Sequence, residues 1–341
     1  MKKNIRSYKQ KITMLIVILL TIINPFLVPG ALEQLVQAQE NCCPAGSLTC
    51  SVTVPGQSNP WLAGAPAGTP TGDGDSAPAQ SPVIVGCLPV RACDKLSFNV
   101  TGTVSFCSSG CTVSGPDGDP TQIVDHFFGD QFGISNVTAP VNALIGVFLG
   151  PAAPGGTAPP ALSFSTPESR RFANIAPLLQ QTFFIGDGRG GATVPSCRTV
   201  MVPCGATRLF LGTMDGFQWN NNIGAFNVTV CKQSNFDLCI QDDGANHILQ
   251  IDTTTGSYLF RKCSTGFTLS GRGTITISGC VITLRHVVTE SSIGISARNV
   301  SANIDTCAKR ANGSISVPAT RGSTFFSISD SNTGDNTCSC P

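Results

Sequence analysis

An all-β fold, a jelly-roll β-sandwich followed by a small disulfide-stapled all-β module, is what this sequence predicts, and three observations predict it. Short runs that alternate apolar and polar residues recur along the chain, bounded by clusters of Gly, Pro, Asn and Asp. Glycine is abundant, with 36 copies, while charged residues make up only 12% of the chain, a balance that suits many turns and few solvated helices. Sixteen cysteines are present, all of them past residue 41, a large and even number that points away from a reducing compartment.

The first 38 residues read as a secretory signal. Lys2, Lys3, Arg6, Lys9 and Lys11 form a basic leader, residues 12–23 are apolar apart from Thr13 and Thr21, and Val36-Gln-Ala38 offers a small-residue cleavage site. The apolar run stops at Asn24-Pro25, short of the roughly 20 residues of a spanning helix. Export to the medium or the cell surface is expected, without stable membrane insertion after cleavage. Removing the leader takes five of the 21 basic residues and one of the 20 acidic ones. The remainder is mildly acidic, which argues against a nucleic-acid partner.

Residues 39–54 form a Cys-rich segment with Cys42, Cys43 and Cys50. Residues 55–232 carry the sandwich. Its first part, 55–82, is dense in Pro, Gly and Ala, with Trp61 as its large anchor, and reads as either an ordered wrap or a loose arm. From Val83 onward strand-like strings follow one another: PVIV, KLSFNVTGTVSF, NALIGVFLG, ALSFS, TFFIG, RTVMV, TRLFLG and AFNVTV. A turn or two of helix is expected near Ala176 to Gln181. Residues 233–341 form the second module, with a hairpin at Ile248 to Lys262, further strands, and staples expected from Cys263, Cys280, Cys307, Cys338 and Cys340. Metal binding by cysteine is a weak alternative, because no Cys-x-x-Cys occurs and His126, His247 and His286 stand at no ligand spacing to a cysteine. Sequence-local bridges are the economical expectation: Cys87 with Cys93, Cys107 with Cys111, Cys197 with Cys204, and Cys231 with Cys239.

The functional signal lies in 211–229, LGTMDGFQWNNNIGAFNVT. It sets Asp215 six residues before Asn221 and Asn222 in a glycine-bounded loop between two strands. Calcium takes about 6 to 8 oxygen ligands from carboxylate, amide and carbonyl groups, and this loop concentrates such donors. The bland alternative is a turn, since asparagine tolerates left-handed backbone. Other candidates are weaker. Gly186-Asp-Gly188-Arg-Gly190-Gly191 fits the G-x-G-x-x-G dinucleotide spacing but precedes no helix, and reads as a hairpin turn. Asp73, Asp75, Asp117 and Asp119 sit in Asp-Gly contexts that more often form solvated turns. Glutamates beyond the leader are few, Glu168 and Glu290 among them, and neither G-x-S-x-G nor H-E-x-x-H occurs. Binding without catalysis is therefore expected.

Residues 54–230 resemble the PA-IL-like bacterial lectins, in the strings DGFQWNNNIGAFNVTV, GTVSFCSSGCTVSGPDGD and NALIGVFLG. The resemblance implies a galactose-binding-domain type of sandwich that holds Ca2+ and a galactose-type glycan. It implies Asp215 as the carboxylate bridging calcium and sugar, Asn221 and Asn222 as side-chain ligands, and backbone carbonyls from Gln218 and Phe106. Gln122 and His126 are the matching candidates for further sugar contacts, beside Asp215 and Asn221. Phe106 stands where the family has tyrosine, and the loop after Asp215 is one residue shorter. Trp219 is read either as a stacking surface for a sugar or as cover for the sandwich edge. The alternative function is a structural or adhesive extracellular protein whose loop recognises no sugar. Homo-oligomerisation is left open by the sequence.

Overall fold

The computed structural model describes residues 41–335, apart from 93, 191–196, 234, 243–244, 254, 264–266, 279–280, 287–298, 306–309 and 317–323. The expected leader lies outside the described residues. The first thirteen strands are β1 (Leu48–Pro55), β2 (Val83–Ile84), β3 (Lys95–Ser105), β4 (Val113–Ser114), β5 (Asp119–Asp125), β6 (Val137–Val141), β7 (Leu144–Leu149), β8 (Leu162–Ser163), β9 (Asn174–Ile175), β10 (Thr182–Phe184), β11 (Thr199–Met201), β12 (Arg208–Thr213) and β13 (Ile223–Gln233). They build a six-stranded sheet in the order β1-β13-β3-β11-β9, with β4 beside β3, a four-stranded sheet β10-β7-β12-β2, and a three-stranded sheet β5-β6-β8. The expected sandwich is present as the first two sheets. Its order departs from an all-antiparallel jelly roll at the β9 edge, where β9 runs parallel to β11.

One core fills the space between the two larger sheets. Val54, Phe98, Val100, Phe226 and Val228 point in from the six-stranded sheet, and Leu144, Phe148, Phe183, Leu209 and Leu211 from the four-stranded one. A second core covers the other face of the four-stranded sheet, where Ile145, Val147, Leu149, Phe184 and Phe210 meet Val137, Ala139, Trp61 and Trp219. The four-stranded sheet is therefore a middle layer. This corrects the expectation that Arg208-Leu-Phe-Leu-Gly alternates between core and solvent: Leu209, Phe210 and Leu211 are all buried, because a third layer lies outside the sheet. Strands buried on both faces read as continuous apolar runs, and LIGVFL is one.

Residues 55–82 are an ordered wrap. Trp61 and Leu62 are fully buried in a 3₁₀ turn, Pro60–Leu62, whose first N–H groups meet Asn59: its Oδ1 accepts from the Trp61 N–H at 3.0 Å. The expected helix near residue 176 is absent, and that stretch is a turn. The only helical pieces among the described residues are this 3₁₀ turn and a second one, Trp219–Asn221.

The disulfides correct three of the four expected pairs. Cys107 joins Cys111, but Cys87 joins Cys50, Cys197 joins Cys42 and Cys231 joins Cys43. Cys93 lies outside the described residues. The reason is register. β1 runs antiparallel to β13, pairing Leu48 with Lys232 and Cys50 with Val230, and this lays the N-terminal cysteines along the sandwich with Cα separations of 5.3 to 5.6 Å to their partners, inside the bridging range. β1 also places residues 48–54 within the sandwich, which starts earlier than residue 55. Digestion without reduction is expected to yield peptides in which the Cys42 and Cys43 segment is linked to both Cys197 and Cys231. Recovery of a Cys197–Cys204 or Cys231–Cys239 peptide by mass spectrometry would contradict the register.

The remaining strands are β14 (Asn235–Asp242), β15 (Ala245–Asp252), β16 (Ser257–Lys262), β17 (Phe267–Arg272), β18 (Thr274–Ser278), β19 (Val281–His286), β20 (Asn299–Asp305), β21 (Arg310–Ser316) and β22 (Thr324–Asp335). The expected hairpin is β15 with β16. The sheet order runs β17-β16-β15-β14-β22-β21-β20-β19-β18, so its two ends are strands separated in sequence by Gly273 alone. The sheet thus closes on itself, with β17 and β18 as two halves of one bent strand, as an up-and-down barrel does. Glycine is required at the bend, since a Cβ there would sit 2.7 Å from the Arg285 carbonyl oxygen. Leu249, Ile251, Tyr258, Phe260, Leu269, Ile282, Leu284 and Ile304 are buried on one face, enough to fill so narrow a barrel. Cys263 is disulfide-bonded, while Cys280, Cys307, Cys338 and Cys340 lie outside the described residues. No helix among the described residues is long and apolar enough to cross a membrane, and the disulfides indicate an oxidising environment.

Candidate functional site

The loop 214–222 leaves β12 in the four-stranded sheet and enters β13 in the six-stranded one, so it crosses the end of the sandwich. Asp215 sits at its start and is 5% exposed. Its Oδ1 accepts the N–H groups of Gly216 at 2.7 Å and Phe217 at 3.3 Å, while no donor reaches its buried Oδ2 in hydrogen-bond geometry. Burial pushes the carboxyl up to about 6. The nearby Asn222 amide and the two N–H groups draw it down without prevailing, and the charge on Asp75 raises it further.

Asn222 is buried at the loop's other end. Its Nδ2 donates to the Gly56 carbonyl at 3.1 Å, which fixes the amide orientation and leaves its buried Oδ1 without a donor. Thr213 Oγ1 donates to the same carbonyl at 2.7 Å. Ile223 pairs with Ser105, so the ladder brings Phe106, the residue after Ser105, to the same end as Asn222. Gln218 has φ of 66°, a left-handed turn of the backbone. Asn221 is exposed. Asp215, Gln218, Asn221, Asn222 and Phe106 therefore all belong to this end of the sandwich, and two of them carry buried oxygens that lack a donor.

The remaining expected sites are placed differently. Gln122 is half-buried, and its Nε2 donates to Asp119 Oδ2 at 3.1 Å and Thr112 Oγ1 at 3.3 Å. His126 is 1% exposed, stacked on Trp61 at 4.1 Å. Its Nδ1 meets the Gly129 carbonyl at 2.8 Å. A carbonyl can only accept, so Nδ1 carries the proton, and Nε2 is buried without a partner; burial lowers the affinity of the ring for a second proton. His126 is thus packed among aromatic rings rather than exposed at the surface. Trp219 is also fully buried, with Nε1 donating to the Thr213 carbonyl at 2.9 Å, so it packs in the second core and presents no face for stacking. The glycine string at 186–190 forms a turn, with Gly186 and Gly188 at positive φ. It is no hairpin, because β10 pairs with β7 while β11 pairs with β3.

Sequence reasoning missed Asp75. Its Asp-Gly context, like that of Asp73, predicts a solvated turn, yet Asp73 is 3% exposed and Asp75 fully buried. Asp75 Oδ2 accepts from the Trp219 N–H and from Asn59 Nδ2, both at 3.0 Å, and Oδ1 accepts from the Asn220 N–H at 2.9 Å. It thereby caps the 3₁₀ turn that carries Asn221. Burial raises its proton affinity, against the pull of Asn59. The only sequence signal is a pair of acids, Asp73 and Asp75, in a segment dense in Pro, Gly and Ala.

Asp73, Asp75 and Asp215 share one further property. The ion pairs among the described residues join Arg198 to Asp117 and Asp187, and Lys232 to Asp94, so none offsets these three buried carboxylates. Buried charges in proteins are paired or coordinate metals. No group of three or more His, Cys, Asp or Glu residues among the described residues is arranged to hold a metal. A cation at Asp215 must therefore draw on amide and carbonyl oxygens. That donor set suits calcium and disfavours softer ions. No protein-family model matches the chain, and no curated protein sequence matches it.

Proposed function

We propose that the protein is an exported, calcium-dependent carbohydrate-binding protein, of galactose-type specificity, that binds without turnover. One observation carries the reading: Asp215 Oδ2 and Asn222 Oδ1 are both buried and lack donors in hydrogen-bond geometry, at the end of the sandwich to which Phe106 and Gln218 also belong, and no ion pair among the described residues offsets the Asp215 charge. Calcium would be held there by Asp215, Asn222, the exposed Asn221 and the carbonyls of Gln218 and Phe106. Its chemical contribution is to polarise and orient hydroxyl groups. A vicinal diol completes such a shell without adding charge. Asp215 is the side chain suited to accept a hydroxyl proton while holding the cation, and Gln122 and His126 lie on the neighbouring segment 119–126.

The burial of Asp215 and His126 favours one second reading, in which the cation only staples the loop and no sugar is recognised. Melting curves separate the two. The mature protein is expected to melt higher in calcium than in chelator, and higher again when galactose is added. A calcium effect without a galactose effect selects the structural reading. No response to calcium removes the cation from both.

A further inference from the structure

Beside the Asp215 loop lies an aromatic ledge that nothing in the fold explains. Phe127, Phe128 and Phe217 are 74%, 40% and 43% exposed, although a phenylalanine gains most from burial. Their rings touch one another, with centroids 5.2 Å apart for Phe127 and Phe128, 5.8 Å for Phe127 and Phe217, and 6.1 Å for Phe128 and Phe217. The ledge is built onto the candidate site. Phe217 gives its N–H to Asp215 Oδ1, and the Phe127 N–H donates to the Gly216 carbonyl at 2.9 Å. Behind it, a Cβ on Gly72 would meet the Phe128 ring at 2.9 Å, so the loop bearing Asp73 packs against the same ring.

Resting on the calcium-dependent reading above, we infer that the ledge is the second half of the binding site and that its occupant is a neutral pyranoside, its hydroxyl edge at Asp215 and Asn222 and its CH face on Phe127 and Phe217. Three features select this occupant. The buried oxygens without donors call for a cation, and the cation's remaining positions call for neutral hydroxyls. The exposed rings call for an apolar face within reach of those hydroxyls, and a pyranose presents both on one small body. The carboxylates of Asp73, Asp75 and Asp215, with no ion-paired base among the described residues, outnumber the two positive charges of one calcium ion, so the site has no net positive charge to attract an anionic ligand. Acidic sugars and anionic lipid headgroups are thereby disfavoured.

The test uses the mature full-length protein in calcium, with methyl galactoside and methyl galacturonide as probes. Titration calorimetry gives affinity, saturation-transfer NMR gives the sugar protons in contact, and melting in calcium against chelator gives the cation. Wild type is expected to bind the galactoside at least 10-fold more tightly than the uronide. Saturation should concentrate on the protons of one ring face. Phe127→Ser and Phe217→Ser should each weaken galactoside binding by about 10-fold and erase the one-face pattern. Both should leave the calcium-induced melting shift intact. Phe132→Ser, at another exposed phenylalanine outside the ledge, should change nothing. Unchanged galactoside affinity in both ledge variants overturns the ledge while leaving calcium-dependent binding standing. A calcium shift with no binding of either probe overturns both the ledge and the sugar reading. Loss of a dimer in sedimentation on Phe127→Ser, with sugar binding retained, shows a second copy to be the occupant and overturns the proposal.

Discussion

Asp215→Asn is expected to act in opposite directions with and without calcium. In calcium the variant loses the only carboxylate of the proposed shell, and calcium affinity should fall by on the order of 100-fold or more, taking the sugar response with it. In chelator the same change removes a buried charge that no base offsets. The fold holds the Asp215 proton up to about 6, against an ordinary value of 3.8, so ionising it at neutral pH costs the folded chain about 3 kcal/mol. Between those two values the folded chain binds more protons than the unfolded one. Chelated wild type should therefore lose stability as pH rises from 3.8 to about 6, whereas Asp215→Asn should show a shallower decline, the part that burial of Asp75, Asp94 and Asp187 contributes in the same direction, and melt higher at neutral pH. Calcium competes with the proton, so calcium stabilisation should fade as pH falls below about 6. Melting curves across this range in calcium and in chelator check both signs. If the variant is less stable than wild type in chelator, the carboxylate is a satisfied structural group and the cation reading fails.

Much of this architecture was legible in the strings of residues, and the parts that were not have physical causes. Local alternation located β3 and β13, because successive side chains of a strand point to opposite faces, and the short apolar run before Gly212 located β12. It could not show that Leu209, Phe210 and Leu211 would all be buried, since that depends on a third layer built from Val137, Ala139 and Trp61, distant in sequence. Cys107 and Cys111 are close enough in sequence to find each other locally. Cys42, Cys43 and Cys50 find their partners only after β1 has docked on its sheet. At the site, the oxygen-rich loop announced Asp215, Asn221 and Asn222. The burial of His126 and Trp219 was hidden, because both sit in a cluster with Trp61 that exists only when the 55–82 wrap closes over the four-stranded sheet. Asp75 was hidden for the same reason. An acid in a Gly-Asp-Gly-Asp string looks like a solvated turn until the backbone it caps, 144 residues away, is brought to it.

Asp75→Ala is expected to cause the largest loss of stability of any single substitution at this end of the sandwich. The side chain is fully buried, and its two oxygens satisfy three donors: the N–H groups of Trp219 and Asn220 and the Nδ2 of Asn59. Alanine would strand all three, and buried donors left unpaired cost about 1–3 kcal/mol each, so a loss of about 4 kcal/mol is expected after relaxation and water entry. Asp75→Asn should do about half that damage. It removes a charge that burial already disfavours, yet both aspartate oxygens face donors, so the new NH2 group must confront one of them. Asp73→Ala is the comparison and should cost less, because Asp73 Oδ2 has no partner and its Oδ1 accepts only the Thr71 hydroxyl and, at a long 3.4 Å, the Asp75 N–H. The two tryptophans of the chain, Trp61 and Trp219, are both fully buried here, so urea unfolding followed by tryptophan fluorescence reads this region directly. The effect should also reach the cation. The turn that Asp75 caps carries Asn221 and leads into Asn222, so Asp75→Asn, the variant that stays folded, should raise the calcium concentration needed for half-maximal stabilisation, whereas Asp73→Ala should raise it less. A normal calcium midpoint in Asp75→Asn, despite lost stability, would mean that the turn and the cation site are independent, and the cap would then be structural alone.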